Sequence, residues 1–196
     1  LRDSLFFGGA NTWSINWLVG RVAFDDAAAK GADFATAKTQ GRFVKWNWNL
    51  ARQQTLGPND ALYLSLGGQS TNSNLDASEK MLVGGPNSVR AYDIGAISAD
   101  SGSFESIEYR HIFDNSETGY WTAIFFVDHE HVTINKKPWV NGINTDNLTG
   151  AGAGINWVGL DHWIAKAFIA TPVGAIPISV GASRSTLVWV DLSKGF

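Results

Sequence analysis

Cysteine is missing from all 196 residues. Its absence excludes a disulfide scaffold, a thiol nucleophile and a thiolate metal site from this chain. Charge is sparse as well. Fifteen Lys and Arg stand against 18 Asp and Glu, a formal net charge of -3, so there is no whole-molecule basic field of the kind nucleic acid attracts. No apolar run approaches the ~20 residues of a spanning helix. No Gly-Lys pair exists to build a phosphate loop, and no G-x-S-x-G elbow to present a nucleophilic serine. No leader peptide is visible either: Leu1-Arg2-Asp3 runs straight into a strand-like segment, which predicts a chain beginning inside a larger protein.

What the chain has in quantity is tryptophan, nine residues, and a period of two. Tryptophan at this density points to binding surfaces or to the interfacial belts of a membrane protein. Apolar and polar residues alternate through Val44-Lys45-Trp46-Asn47-Trp48-Asn49-Leu50, through Leu62 to Gly67, Ser106 to Arg110, Gly150 to Trp157 and Val188 to Ser193. This pattern predicts β-strands with one apolar and one polar face. Eight strands are expected, over 3–24, 42–56, 60–72, 103–113, 119–134, 148–158, 161–172 and 178–196. Several exceed the usual ~5–6 residues and suit tilted strands crossing a bilayer.

The connections alternate in length. Short ones at 57–59, 114–118 and 159–160 are interleaved with long ones at 25–41, 73–102 and 135–147; the last, near 171–177, is intermediate. Tight turns at one end and long loops at the other are the mark of a membrane barrel. The Ala- and Asp-rich segment 25–38 is expected to form a short helix in a long loop. One sheet face carries Lys45, Glu108, Arg110, Asp128, Lys166 and Arg184; the other carries Trp46, Trp48, Trp157, Trp163 and many aliphatics. The polar face holds too few bulky groups to fill a barrel interior, which favours apolar-outward packing. A soluble lipocalin-like binding barrel is the alternative with the faces reversed. The alternating terminal strand ends on Phe196, as outer-membrane assembly signals do, although Lys194 breaks the pattern. The fold class is therefore all-β, an antiparallel transmembrane β-barrel segment of about eight strands.

One stretch fits no period. Ser78 to Tyr92 reads SEKMLVGGPNSVRAY, with adjacent glycines, a proline and a lone arginine. Around it stand Gln40 to Lys45, Leu50-Ala51-Arg52, the run Asn74 to Lys80, Gly84-Gly85-Pro86, Val89-Arg90-Ala91-Tyr92, Phe126-Val127-Asp128 and Asn135 to Trp139. Together these runs resemble the C-terminal half of the transporters of two-partner secretion, the haemolysin secretion and activation type, across nearly the whole chain. The resemblance implies a 16-stranded barrel of which residues 1–196 are the second half. Two periplasmic POTRA domains and the first half would lie outside the chain. It implies location in the bacterial outer membrane and translocation of an unfolded exoprotein, an adhesin or haemolysin. The implied partners are that exoprotein, outer-membrane lipid, the barrel-assembly machinery, and the missing barrel half or a second copy; nucleic acid is not one. A barrel-assembly insertase of the same superfamily is a further alternative.

The resemblance also implies that loop 73–102 folds into the barrel and that Arg90 meets Asp128 there. Gly84 and Gly85 would permit the sharp turn, Val89 would complete the motif and Tyr92 would pack beside the arginine. Strand parity points Asp128 away from Trp121, Ala123, Phe125 and Val127. The family pattern places glycine where Glu130 stands, and on an alternating strand Glu130 shares the face of Asp128, so the two acids would share one arginine or crowd its pocket. His129-Glu130-His131 lacks the spacing of a zinc protease and parity splits it between faces. Gly150-Ala151-Gly152-Ala153-Gly154 lacks dinucleotide-binding spacing and reads as a small-residue strand face. Neither catalytic residue nor cofactor nor metal is expected.

Overall fold

A computed structural model describes residues 2–5, 7–113, 117–181 and 185–195. Phe196 and Arg184, two positions used above, lie outside the described residues. The elements in chain order are β1 (Arg2–Asp3), β2 (Gly9–Val22), α1 (Ala27–Ala35), β3 (Gly41–Thr55), β4 (Asp60–Thr71), β5 (Met81–Val83), β6 (Ile97–Ala99), β7 (Ser101–Ile112), β8 (Gly119–Thr133), β9 (Thr145–Gly159), β10 (Trp163–Pro172) and β11 (Leu187–Lys194). Nine of the strands form one sheet in the order β1-β2-β3-β4-β7-β8-β9-β10-β11, antiparallel throughout. The small hairpin β5-β6 stands apart in the loop between β4 and β7.

The all-β segment is as the alternation predicts, and its strands are long. β3, β8 and β9 each run 15 residues, enough to cross a bilayer core of ~30 Å at a steep tilt. The short connections lie at one end and the long ones at the other. Among the latter, α1 is capped by Asp26, whose carboxylate accepts from the Ala29 amide at 2.8 Å.

Three boundaries differ from the sequence reading. The first predicted strand is two: a turn separates β1 from β2, with Asp3 accepting from the Leu5 amide and Gly8 at φ 95°. An apolar run that folds back on itself looks the same as one continuous strand. The last strand begins at Leu187, not 178, since a turn closes from the Val180 amide to the Pro177 carbonyl. Within the long loop, β5 and β6 are too short to show a period.

The two faces differ as parity dictates. The convex face exposes Trp13 (71%), Trp17 (64%), Phe125 (57%) and Val190 (76%). Trp17 and Trp46 stack across β2 and β3 with ring centroids 5.3 Å apart. The concave face carries charge but is less bare than expected. Ile124, Phe126, Val132, Leu148 and Ala170 on the wall pack against Val83, Val89, Ala91, Tyr92, Ile97 and Ala99 of the loop. The core therefore lies between the sheet's inner face and the loop covering it. Each fully buried aliphatic there stabilises that contact by about 1.5–3 kcal/mol relative to exposure.

Candidate functional site

The loop tip is shaped by its glycines. Gly84 and Gly85 sit at φ 92° and 99°, and a Cβ on Gly84 would lie 2.3 Å from the Asp93 carbonyl. The Gly85 amide donates to the Tyr92 carbonyl, closing the tip on itself, and the Ser88 hydroxyl accepts from the Gly84 amide. The tip then lies flat on β9. A Cβ on Gly150 would come within 2.5 Å of Ala91 and 3.3 Å of Val89. The small-residue face of β9 is what lets the loop approach the wall.

On that surface Arg90 reaches β8. Its Nε donates to Asp128 Oδ2 at 2.8 Å and its Nη2 to Asp128 Oδ1 at 2.7 Å, a bidentate pair. The Arg90 amide donates to the same carboxylate at 3.1 Å. Ser106 donates to Asp128 Oδ1 and accepts from Arg90 Nη2. The arginine is 5% exposed and the aspartate 0%. Burial works against the charge on Arg90, but the hydrogen bonds to Asp128 and the fields of Asp128 and Glu108 outweigh it and raise its pKa above the ordinary value.

The F-x-D run has a clear geometric basis. Residues two apart on a strand share a face, so Phe126 and Asp128 both point inward. The guanidinium carbon sits 3.4 Å from the Phe126 ring centroid and 5.3 Å from that of Phe168. Phe126 supplies the stacking surface and Asp128 the carboxylate. Tyr92, expected to pack beside the arginine, is buried in the apolar cluster, with its hydroxyl 3.4 Å from the Thr149 carbonyl.

Glu130 shares the inward face of Asp128, as parity predicts, and is 1% exposed; it accepts from the Ser88 hydroxyl at 2.5 Å. The second acid on the arginine is Glu108 of β7, with Oε1 2.8 Å from Arg90 Nη1. Glu108 Oε2 in turn accepts from Arg110, which lies over the Tyr63 ring. Two arginines and two acids thus form one chain, buried except at Arg110. Parity alone placed Glu108 inward; the β7-β8 register, Ser106 opposite Asp128, is what brings it within reach.

Trp189 of β11 was missed too. Its indole N–H donates to the Arg90 carbonyl at 2.7 Å, tying the tip to the last strand of the sheet. Beside this network a cavity of about 610 Å³ is lined by Tyr63, Glu108, Arg110, Lys166, Trp189 and Asp191, among others. His129 and His131 face outward, 2.8 Å from Thr149 and Asn147 respectively, so the His-Glu-His run is split between faces.

Comparison with known proteins agrees with this geometry. Residues 2–157 match the family described as haemolysin secretion/activation protein ShlB/FhaC/HecB. Similar curated proteins include the heme/hemopexin transporter protein HuxB of Haemophilus influenzae, 25% identical over 196 residues, and the same-named protein of strain 86-028NP, 24% identical. Each match covers 98% of this chain and 34% of the relative, so the chain spans about a third of the length of the curated relatives it matches. A partial antiparallel barrel with an apolar convex face, matched over most of its length, places the chain in the ShlB/FhaC/HecB family of outer-membrane secretion transporters.

Proposed function

We propose that this chain is the second half of an outer-membrane translocator barrel, and that the whole protein conducts an unfolded exoprotein from periplasm to surface. The remaining strands and the periplasmic domains would be supplied by the rest of the protein. The relatives are about three times the chain's length, which is consistent with that division. Arg90 latches loop 73–102 to the inner wall through Asp128, with Gly84, Gly85, Val89 and Tyr92 shaping the latch and Phe126 backing it. The latch keeps the loop in the barrel and fixes the pore's shape.

The observation that carries this reading is the buried bidentate Arg90–Asp128 pair on a loop packed against the concave face. Convex apolar side chains fit lipid, and the charged concave wall fits a polar conduit. The relatives are named for heme/hemopexin transport. In this chain His111, His129 and His131 lie on the convex face and His162 sits in the Leu160–His162 turn. The concave wall instead offers hydrogen-bonding and charged groups suited to an extended polypeptide, which favours a protein cargo. Transport would draw on cargo folding outside and need neither nucleotide nor cofactor.

Arg90→Ala should reduce cargo secretion by about tenfold or more while the heat-modifiable, inserted barrel stays at its normal level. Normal secretion by this variant would refute the latch.

A further inference from the structure

Two runs of the sequence take no part in the Arg90 latch: Asn74 to Lys80 and Asn135 to Trp139. The fold brings them together where the loop leaves and rejoins the wall. Asp100, entirely buried at the loop's return, receives three donors. They are the Leu75 amide at 3.1 Å, the Lys136 amide at 2.7 Å and the Lys80 ammonium at 2.9 Å. Lys80 also donates to the Ile134 carbonyl at 2.7 Å and to Asn135 Oδ1 at 3.1 Å. Asn74 accepts from the Lys137 amide and donates to the carbonyls of Lys137 and Ala37. Gln69 and Lys45 close the base, both donating to the Glu79 carbonyl.

From these contacts we infer that Asn74, Lys80 and Asp100 form a second anchor, which fixes the root of the loop independently of the tip. The anchor stitches four segments: the outgoing limb at 74–80, the return at Asp100, the β8-β9 connection at 134–137 and the β2-β3 connection at Ala37. Its partners are mostly backbone groups of those connections, and they lie in the chain beyond the ends of β4 and β8, outside the sheet register that carries Arg90, Asp128 and Glu108. When the tip releases, the loop swings about a fixed root and stays within the pore mouth. Asn74, Lys80 and Asp100 are positioning residues for that motion. The anchor rests on its own geometry; only its meaning for transport rests on the latch reading above.

The test maps thiol protection in the full-length protein, made cysteine-free elsewhere. One thiol is introduced by Ala99→Cys at the root or by Ala91→Cys at the tip, both nearly or wholly buried. Only heat-modifiable barrels are scored for maleimide reactivity. Lys80→Met should raise reactivity at position 99 about tenfold or more and leave position 91 within about twofold. Arg90→Ala should do the reverse, and Lys80→Arg should restore protection at 99. Protection of 99 that survives Lys80→Met, or equal opening of 91 and 99 by either variant, would overturn the second anchor. If Lys80→Met gives no folded barrel, Asn74→Ser is read in the same way, and protection of 99 unchanged by it would count against the anchor. Unchanged secretion by Arg90→Ala would remove the transport latch while leaving this map standing.

Discussion

The tip and the root of the same loop are held by different chemistry. At the tip a single residue, Arg90, meets side chains from two strands, Asp128 and Glu108, over a Phe126 ring. At the root Asn74, Lys80 and Asp100 bind mainly backbone groups of neighbouring connections. A contact focused on one guanidinium can be undone by one event. A contact spread over several backbone groups must be taken apart piece by piece. In the proposed mechanism the tip is the releasable end of the loop and the root its fixed end.

The largest effect on the tip is expected at Asp128. Asp128→Ala leaves the buried Arg90 short of its main partner and should weaken the tip by about 3–5 kcal/mol, read as lost thiol protection at position 91 with the root unchanged. Full protection at 91 would show that Glu108 alone suffices. A smaller effect is expected at Glu130, which holds Ser88 beside the latch. Glu130→Gln replaces the carboxyl that accepts from Ser88 with a carboxamide and should cost the tip about 1–2 kcal/mol, measured by hydrogen exchange of the Gly84 and Ser88 amides. No change there would reduce Glu130 to filler. The smallest effect belongs to Trp189→Phe, which keeps an aromatic ring but loses the donor to the Arg90 carbonyl. About 0.5–1.5 kcal/mol should go from the tip and nothing from the root. A loss as large as that of Asp128→Ala would mean that the last strand, not the wall at β8, governs the latch.

Much of this was legible in the sequence because β-strand parity is strict. Val127 outward and Asp128 inward follow from alternation alone, and so does the division of His129 and His131 from Glu130. The long loop and its glycines stood out as unperiodic chain. What could not be read was anything set by register or by distant approach. Glu108 reaches Arg90 because Ser106 pairs with Asp128, and one residue of slip would have turned Glu108 outward. Trp189 lies 99 positions from its partner in sequence, and no local pattern reports such a contact. The stacking of Phe126 on the guanidinium depends on where the loop lands, and Tyr92, past the turn at Val89, is carried into the apolar cluster. Parity put Glu130 on the face of Asp128, but whether it shares Arg90 or crowds its pocket depends on the spacing to the loop above, which parity does not give.

In the proposed latch, Arg90 on Asp128 holds the loop within the barrel. Spin labels at position 87 in the tip and position 161 in the Leu160–His162 turn would measure this in the inserted full-length protein. One narrow distance population is expected in the parent, and a second, longer and broader population in Arg90→Ala. Identical distance distributions in the two proteins would contradict the latch.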